Sequence, residues 1–284
     1  MVKVVGDTTS GLSESFAEEH GIPIVPQVII FGEESYLENV EITYDTFMEK
    51  LRSATELPKT AAPPPELFAE VFEEFAPGGE AIVCILPSAH LSGTVRSAVV
   101  GLQMAQEEGV GDLDVRIIDT QLVASPVATL LRLASRWAEE GESADTIEAR
   151  VVEMSRRCKV YFMVDTLKYL AMGGRIGGAA ALLGSVLQVK PVLTLNEGQV
   201  DTLEKVRTHK RAKDRLKQLV LEQIPPGDEG YLSIMHAAAE EEADELVTFF
   251  SRELGLSHIP VLTVPPAVVT HGGPGVLGVG FFTE

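Results

Sequence analysis

Cysteine is scarce: the 284-residue chain has only Cys84 and Cys158, both in apolar surroundings. They form no disulfide framework and are read as reduced core residues. With six scattered histidines they also show no metal-ligand spacing, so no metal site is expected. Positive charge is outnumbered, with 23 Lys+Arg against 42 Asp+Glu for a net charge of −19. Such a surface repels nucleic acid and an anionic membrane as main partners. No apolar run is long enough to span a bilayer. The opening Val2-Lys3-Val4-Val5 is strand-like and leaves no room for a signal peptide, so a cytoplasmic protein is expected. Also missing are a Walker-type Gly-x-x-x-x-Gly-Lys-Ser/Thr, a Gly-x-Gly-x-x-Gly after a strand, and a Gly-x-Ser-x-Gly elbow. These absences argue against a nucleotide-using kinase and an α/β hydrolase. There is no internal repeat and no low-complexity tail.

What is present is an alternation of strand and helix patterns in a chain that is 45% hydrophobic, enough for a large core and two domains. Strands are read at Lys3–Val5, Ile22–Phe31, Ala81–Leu86 and Val115–Asp119. Helices are read at Leu12–His20, Tyr44–Ser53, Pro65–Phe75, Thr94–Glu108 and Leu130–Glu140. Pro58 to Pro65 is too proline-rich for a helix. The second half reads differently. Strands at Val160–Val164 and Lys190–Leu195 are followed by a hairpin partner, Gln199–Val206, across an Asn196-Glu197-Gly198 turn. Helices are expected at Thr166–Met172, Arg211–Gln223 and Glu240–Leu254, and strands at Tyr231–His236, Val261–Val264 and Gly278–Phe282. The expected fold class is α/β. A doubly wound parallel-sheet N-terminal domain covers residues 1–158, and a mixed-sheet α/β C-terminal domain covers 159–284.

The stretch Cys84 to Thr94 carries most functional information. A strand stops at Pro87 and opens into a hydroxyl-rich loop, Leu91-Ser92-Gly93-Thr94, ahead of a helix. Ligands of open α/β sheets gather at such strand ends, and a helix N-terminus suits an anion. Capping of the helix by Ser92 or Thr94 accounts for the same residues. Other loops that can share a site are Asp7-Thr8-Thr9-Ser10, Lys59 to Pro63, Gly173-Gly174-Arg175-Ile176 and Thr270 to Gly275.

In order along the chain, several motifs resemble the DegV family of bacterial fatty-acid-binding proteins. They are Asp7-Thr8-Thr9, Leu57-Pro58-Lys59-Thr60, Leu91-Ser92-Gly93-Thr94 with Ser97-Ala98, Asp119-Thr120 and Thr166 to Leu170. Gly173-Gly174-Arg175-Ile176, Lys190-Pro191-Val192-Leu193, Arg207-Thr208-His209-Lys210 and His271-Gly272-Gly273-Pro274-Gly275 complete the set. The resemblance implies a two-domain carrier that buries one long-chain fatty acid, needs no cofactor, performs no chemistry itself and presents the carboxyl group to a separate fatty-acid kinase. By the same resemblance, Thr60 and Ser92 hydrogen-bond the carboxyl group, with Ala61, Gly93 and Thr270 beside them and His271 closing the network. Arg175 falls near the interdomain cleft, and Arg207 in a patch that faces the kinase.

A desolvated carboxylate needs donors, and hydroxyls, a backbone N–H at Gly93 and an imidazole supply them. A ~16-carbon tail at roughly 0.8 kcal/mol per buried CH₂ provides the driving force. Plainer readings stand beside each residue. Thr60 can be a turn hydroxyl, His271 a loop histidine, and Arg175 a helix cap or domain bridge. The basic cluster Arg207, His209, Lys210, Arg211, Lys213 and Arg215 can be a solvated face, or a patch for a kinase or a transient membrane contact. Ala179 to Leu187 is small and apolar, and its part Ala179-Ala180-Ala181-Leu182-Leu183-Gly184 can line an acyl tunnel or pack the core. Two departures from the family pattern stand out: Ala61 where many relatives have serine, and Gln27 in place of an apolar residue. The rival function is a serine esterase using Ser92, His271 and an acid such as Asp7 or Asp119.

Overall fold

The structure, a computed structural model, describes residues 2–109, 113–183 and 189–284. The part of the expected apolar run from Gly184 to Leu187 lies outside the described residues. In chain order, β1 (Lys3–Asp7) leads through a 3₁₀ turn at Thr8–Ser10 to α1 (Glu14–Glu19). Then come β2 (Ile24–Val25), β3 (Val28–Phe31), β4 (Glu34–Leu37), α2 (Tyr44–Ser53), β5 (Lys59–Ala61) and α3 (Pro65–Phe75). β6 (Ile82–Leu86), α4 (Thr94–Glu107), β7 (Val115–Asp119), α5 (Ser125–Glu139) and α6 (Ala144–Arg157) follow. The remainder begins with β8 (Cys158–Met163), α7 (Lys168–Met172), β9 (Lys190–Asn196), β10 (Gln199–Val206) and α8 (His209–Gln223). It ends with β11 (Ser233–His236), α9 (Glu240–Leu254), β12 (Val261–Thr263), α10 (Pro266–Gly272) and β13 (Leu277–Phe282).

The strands form a parallel sheet in the order β2-β1-β6-β7, and a six-stranded sheet in the order β10-β9-β8-β13-β11-β12. The larger sheet is mixed, since β11 and β12 run parallel while its other pairs are antiparallel. Fold class and sheet types follow the alternation read in the sequence. The β9–β10 hairpin turns at Glu197-Gly198, both at positive φ, which a two-residue turn matched to strand twist requires. A third, antiparallel sheet β4-β3-β5 has no counterpart in that reading. Ile22–Phe31, read as one strand, is broken at Pro26-Gln27. β2 joins the parallel sheet and β3 the small one. Proline has no N–H to give a ladder, and it ends β2 there. Lys59–Ala61 pairs with β3 as β5, so the stiff proline-rich segment starts as a strand.

Helix α5 joins the two larger sheets. It packs on β1 and β6 from the first and on β11 and β13 from the second. Ser233 Oγ donates to Ser125 Oγ at 3.0 Å, and Gly280 leaves just enough room for Pro126. Helix α6, unread in the sequence, has the usual signals: Ser143 accepts from the Thr146 N–H, and Ile147, Val151 and Met154 form its buried stripe. No helix among the described residues is long and apolar enough to cross a membrane. Cys84 and Cys158 are free, and burial pushes both thiols above their ordinary pKa.

Candidate functional site

The parallel strands deliver polar groups at their carboxyl ends. β1 ends in Asp7 and runs on into Thr8, Thr9 and Ser10; β6 is followed by Pro87, Ser88 and the loop to Ser92. Facing them is the mixed sheet, which supplies Val160 and Phe162 from β8, Leu195 from β9, Val200 from β10 and Met235 from β11. Between these walls lies a cavity of about 840 Å³ of empty space, solvent at its mouth included. Its lining is apolar except for Thr9, Gln27, Thr60, Ser92, Arg175 and His271.

Hydrogen bonds gather these polar residues into two neighbouring groups, Thr60 with His271, and Thr9, Gln27 and Ser92 through Asp7 and Thr94. Thr60 Oγ1 lies 2.8 Å from His271 Nε2. Arg175 Nε donates to the Leu91 carbonyl at 3.0 Å, and its Nη1 to the Gly173 carbonyl at 2.8 Å, tying the loop after α7 to the Ser92 loop. Gly93 comes close to Ala62, so the Thr60 and Ser92 loops are neighbours. Behind Ser92 is a buried network. Ser92 Oγ and Thr94 Oγ1 are 2.7 Å apart, and Gln27 Nε2 donates to Thr94 Oγ1 and to Asp7 Oδ2, each at 2.7 Å. Thr9 Oγ1 donates to Asp7 Oδ1 at 2.6 Å. Glu38, fully buried, accepts from Thr8 Oγ1 and, at 2.8 Å, from the Ala267 N–H in the first turn of α10.

Burial sets the charges of these groups. It raises the Asp7 carboxyl to about 6 against the opposing pull of hydrogen bonds from Thr9, Gln27 and Thr94. Glu38 is pushed to about 7 by burial, with Asp7 adding a like charge. His271 falls to about 4, first through burial and then through the nearby Arg175 guanidinium, so the imidazole is neutral at pH 7. Its Nδ1 is buried without a partner, against Gly173. We assign the ring proton to Nε2, because an orphaned buried N–H costs more than an unused lone pair. His271 then donates to Thr60, whose own hydrogen is left for the cavity.

Four of the expected site residues, Thr60, Ser92, Arg175 and His271, meet on this wall. The other three do not line it. Ala61 and Gly93 are exposed, Gly93 standing at the start of α4. The Thr270 hydroxyl is used within its own helix, donating to the Pro266 carbonyl at 2.9 Å. His271 is not a loop residue. It lies in the last turn of helix α10, which starts at Pro266 and gives way to Gly273 with φ +81°. Those proline and glycine punctuation marks are visible in the sequence, but seven residues without a polar face give no periodicity.

His209 and Lys213 pair with Glu242, and Lys213 reaches Glu245 too; Arg215 pairs with Glu204 and Glu222. Arg207, Lys210 and Arg211 are exposed and have no ion pair among the described residues. Among the described residues, Ser92, His271 and Asp7 or Asp119 assemble no serine-hydrolase triad. Ser92 bonds to Thr94, His271 to Thr60, Asp7 to Thr9, Gln27 and Thr94, and Asp119 accepts from the N–H groups of Ala89 and Gln121. Sequence reasoning does not find Glu38. No local pattern marks an acid whose partners lie far along the chain.

A parallel sheet and a mixed sheet enclosing an apolar cavity, with hydroxyls, an imidazole and a guanidinium together on its wall, define a small-molecule binding protein. The family model described as "Uncharacterised protein, DegV family" matches residues 1–284, and the chain belongs to that family. It is 36% identical to a DegV domain-containing protein of Streptomyces coelicolor, over 98% of this chain and 97% of the relative. Among solved structures, a fatty-acid-binding DegV family protein of Thermus thermophilus is similar at TM-score 0.87 and 30% identity. The match covers 100% of this chain and 99% of that one. A stearic-acid-binding protein of Eubacterium ventriosum matches at TM-score 0.90 and 27% identity, over 100% and 98%.

Proposed function

We propose that this protein is a cytoplasmic carrier that buries one long-chain fatty acid and presents its carboxyl group to a separate fatty-acid kinase. The observation that carries the reading is the cavity, whose apolar walls accept a hydrocarbon tail and whose lining includes two neighbouring hydrogen-bonded polar groups. Thr60 and Ser92 bond the carboxylate, His271 backs Thr60, and Arg175 ties the Ser92 loop to the loop after α7 while adding positive charge beside them. Hydrophobic transfer supplies most of the affinity, and the hydroxyl pair orients the head group. His271 donates to Thr60 rather than taking its proton, and Ser92 bonds to Thr94, which suits a carrier that leaves the chemistry to its partner. Arg207, exposed and without an ion pair among the described residues, belongs to the surface that meets the kinase, and the chain divides into its two domains at Cys158.

Native mass spectrometry of the purified protein, followed by denaturing extraction, tests the reading. A stoichiometric long-chain fatty acid is expected. An empty protein that also takes up no added palmitic or oleic acid overturns it.

A further inference from the structure

The cavity face of β13 carries two glycines, Gly278 and Gly280, since alternate residues of a strand share a face. Gly278 stands between Phe162 of β8 and Met235 of β11, both of which line the cavity. Gly280 stands one row further on, between Val160 and Ser233, and Val160 also lines the cavity. This row is far from the head-group residues. His271 lies just ahead of β13 and Arg175 follows β8, both at the end where Leu277 pairs with Met163. The Gly280 row falls three residues beyond that pair, about 10 Å along the strands.

Glycine inside a strand weakens it, and often marks a place where another group comes close. At Gly280 that group is the ring of Pro126, in the first turn of α5. A Cβ on Gly280 would lie 2.6 Å from Pro126 Cγ and 3.1 Å from its Cδ. Three features hold the ring there. Ser233 Oγ lies 3.0 Å from Ser125 Oγ. The Ala124 N–H donates to the Thr9 carbonyl at 3.1 Å. Ala124 itself, on the cavity wall, takes φ +61° and ψ −135°, a strained conformation that persists only where the surroundings impose it.

We propose that Pro126, seated on Gly280, closes the end of the cavity opposite the head group and sets the longest acyl chain accepted. The inference rests on the fatty-acid reading and deepens it. A chain anchored at Thr60 and Ser92 that runs past Phe162 and Val160 meets the ring at its end. A longer chain must give up its head-group contacts or leave carbons in water.

The test compares affinities of the full-length protein for palmitic acid and for icosanoic acid, which has four more carbons. If the wild type binds neither, the carrier reading fails. Otherwise Pro126→Ala is expected to raise the icosanoic-to-palmitic affinity ratio about tenfold, because loss of Cγ and Cδ makes room for about two more buried methylenes. Should that variant not fold, Val160→Ala, which clears space in the same row, decides in its place, with a severalfold rise expected. Val268→Ala removes two carbons one turn from His271, at the head-group end, and is expected to leave the ratio unchanged. An unchanged ratio in the end-wall variant, or an equal rise in Val268→Ala, overturns the proposal while the carrier reading stands.

Discussion

At the scale of single residues, the site combines neutral donors with buried acids set behind them. His271 is neutral at physiological pH and donates to Thr60 without bringing a buried cation to the cavity. Replacing it with alanine is expected to weaken fatty-acid binding about tenfold, with the fold intact, as isothermal titration and circular dichroism will show. Gly173→Ala tests the same residue from behind. A Cβ there collides with His271 Nδ1, so binding is expected to fall severalfold although no polar group is lost. Glu38 offers a pH experiment. Its folded pKa, about 7, lies above the ordinary 4.5, so the folded state holds a proton that the unfolded chain releases between those values. The stabilisation from that proton is complete below about pH 4.5 and is lost as pH rises through 7. Glu38→Gln keeps the shape without titrating. Relative to wild type it is expected to gain stability between pH 5 and 8, by on the order of 1 kcal/mol per pH unit at most. Stabilities from urea denaturation that change in parallel across that range would refute this.

At the scale of elements, short irregular pieces place the site and long regular ones support it. Thr60 is held by a three-residue strand paired to β3, and His271 by a helix of seven residues whose first turn is bonded to Glu38. These pieces are the hardest to read in the sequence, because hydrophobic periodicity needs length to stand out. The long helices α2, α3, α4, α8 and α9 are readable from their stripes and caps. One close approach between them is open to test. On α4, Gly101 meets α3 so tightly that a Cβ would lie 2.5 Å from the Pro65 carbonyl oxygen and 2.7 Å from Phe68 Cβ. Alanine favours a helix over glycine by about 1 kcal/mol, yet Gly101→Ala is expected to destabilise by about 1–2 kcal/mol, because backbone cannot yield as a side chain can. The urea midpoint measures it, and a stabilised variant would refute the close packing of α3 on α4.

At the scale of the whole molecule, the cavity draws its walls from the mixed sheet and from the loops at the ends of the parallel strands, and α5 packs on both sheets. A ligand held there binds the folded chain and not the unfolded one. Saturation at a hundred times the dissociation constant is therefore expected to add about 2.7 kcal/mol of stability and raise the melting temperature by several degrees. Scanning calorimetry with palmitic acid measures the shift. An unchanged melting temperature in the presence of bound ligand would mean that the cavity is not part of the cooperative unit.

By itself, the sequence determined the α/β class, the two kinds of sheet, most long helices and the hydroxyl-rich loops at strand ends, because periodicity, proline, glycine and capping residues act over a few positions. It also marked Thr60, Ser92, Arg175 and His271 through short motifs, each legible within a few residues of the chain. Tertiary structure alone decided which polar groups face one another. Thr60 and His271 are separated by 211 positions and Glu38 and Ala267 by 229. Gln27 became a buried donor only because the chain breaks at Pro26-Gln27 and turns its amide onto Asp7 and Thr94. The direction of a hydrogen bond depends on which donor stands behind each hydroxyl, and that is a property of packing across the fold, not of any local run of residues.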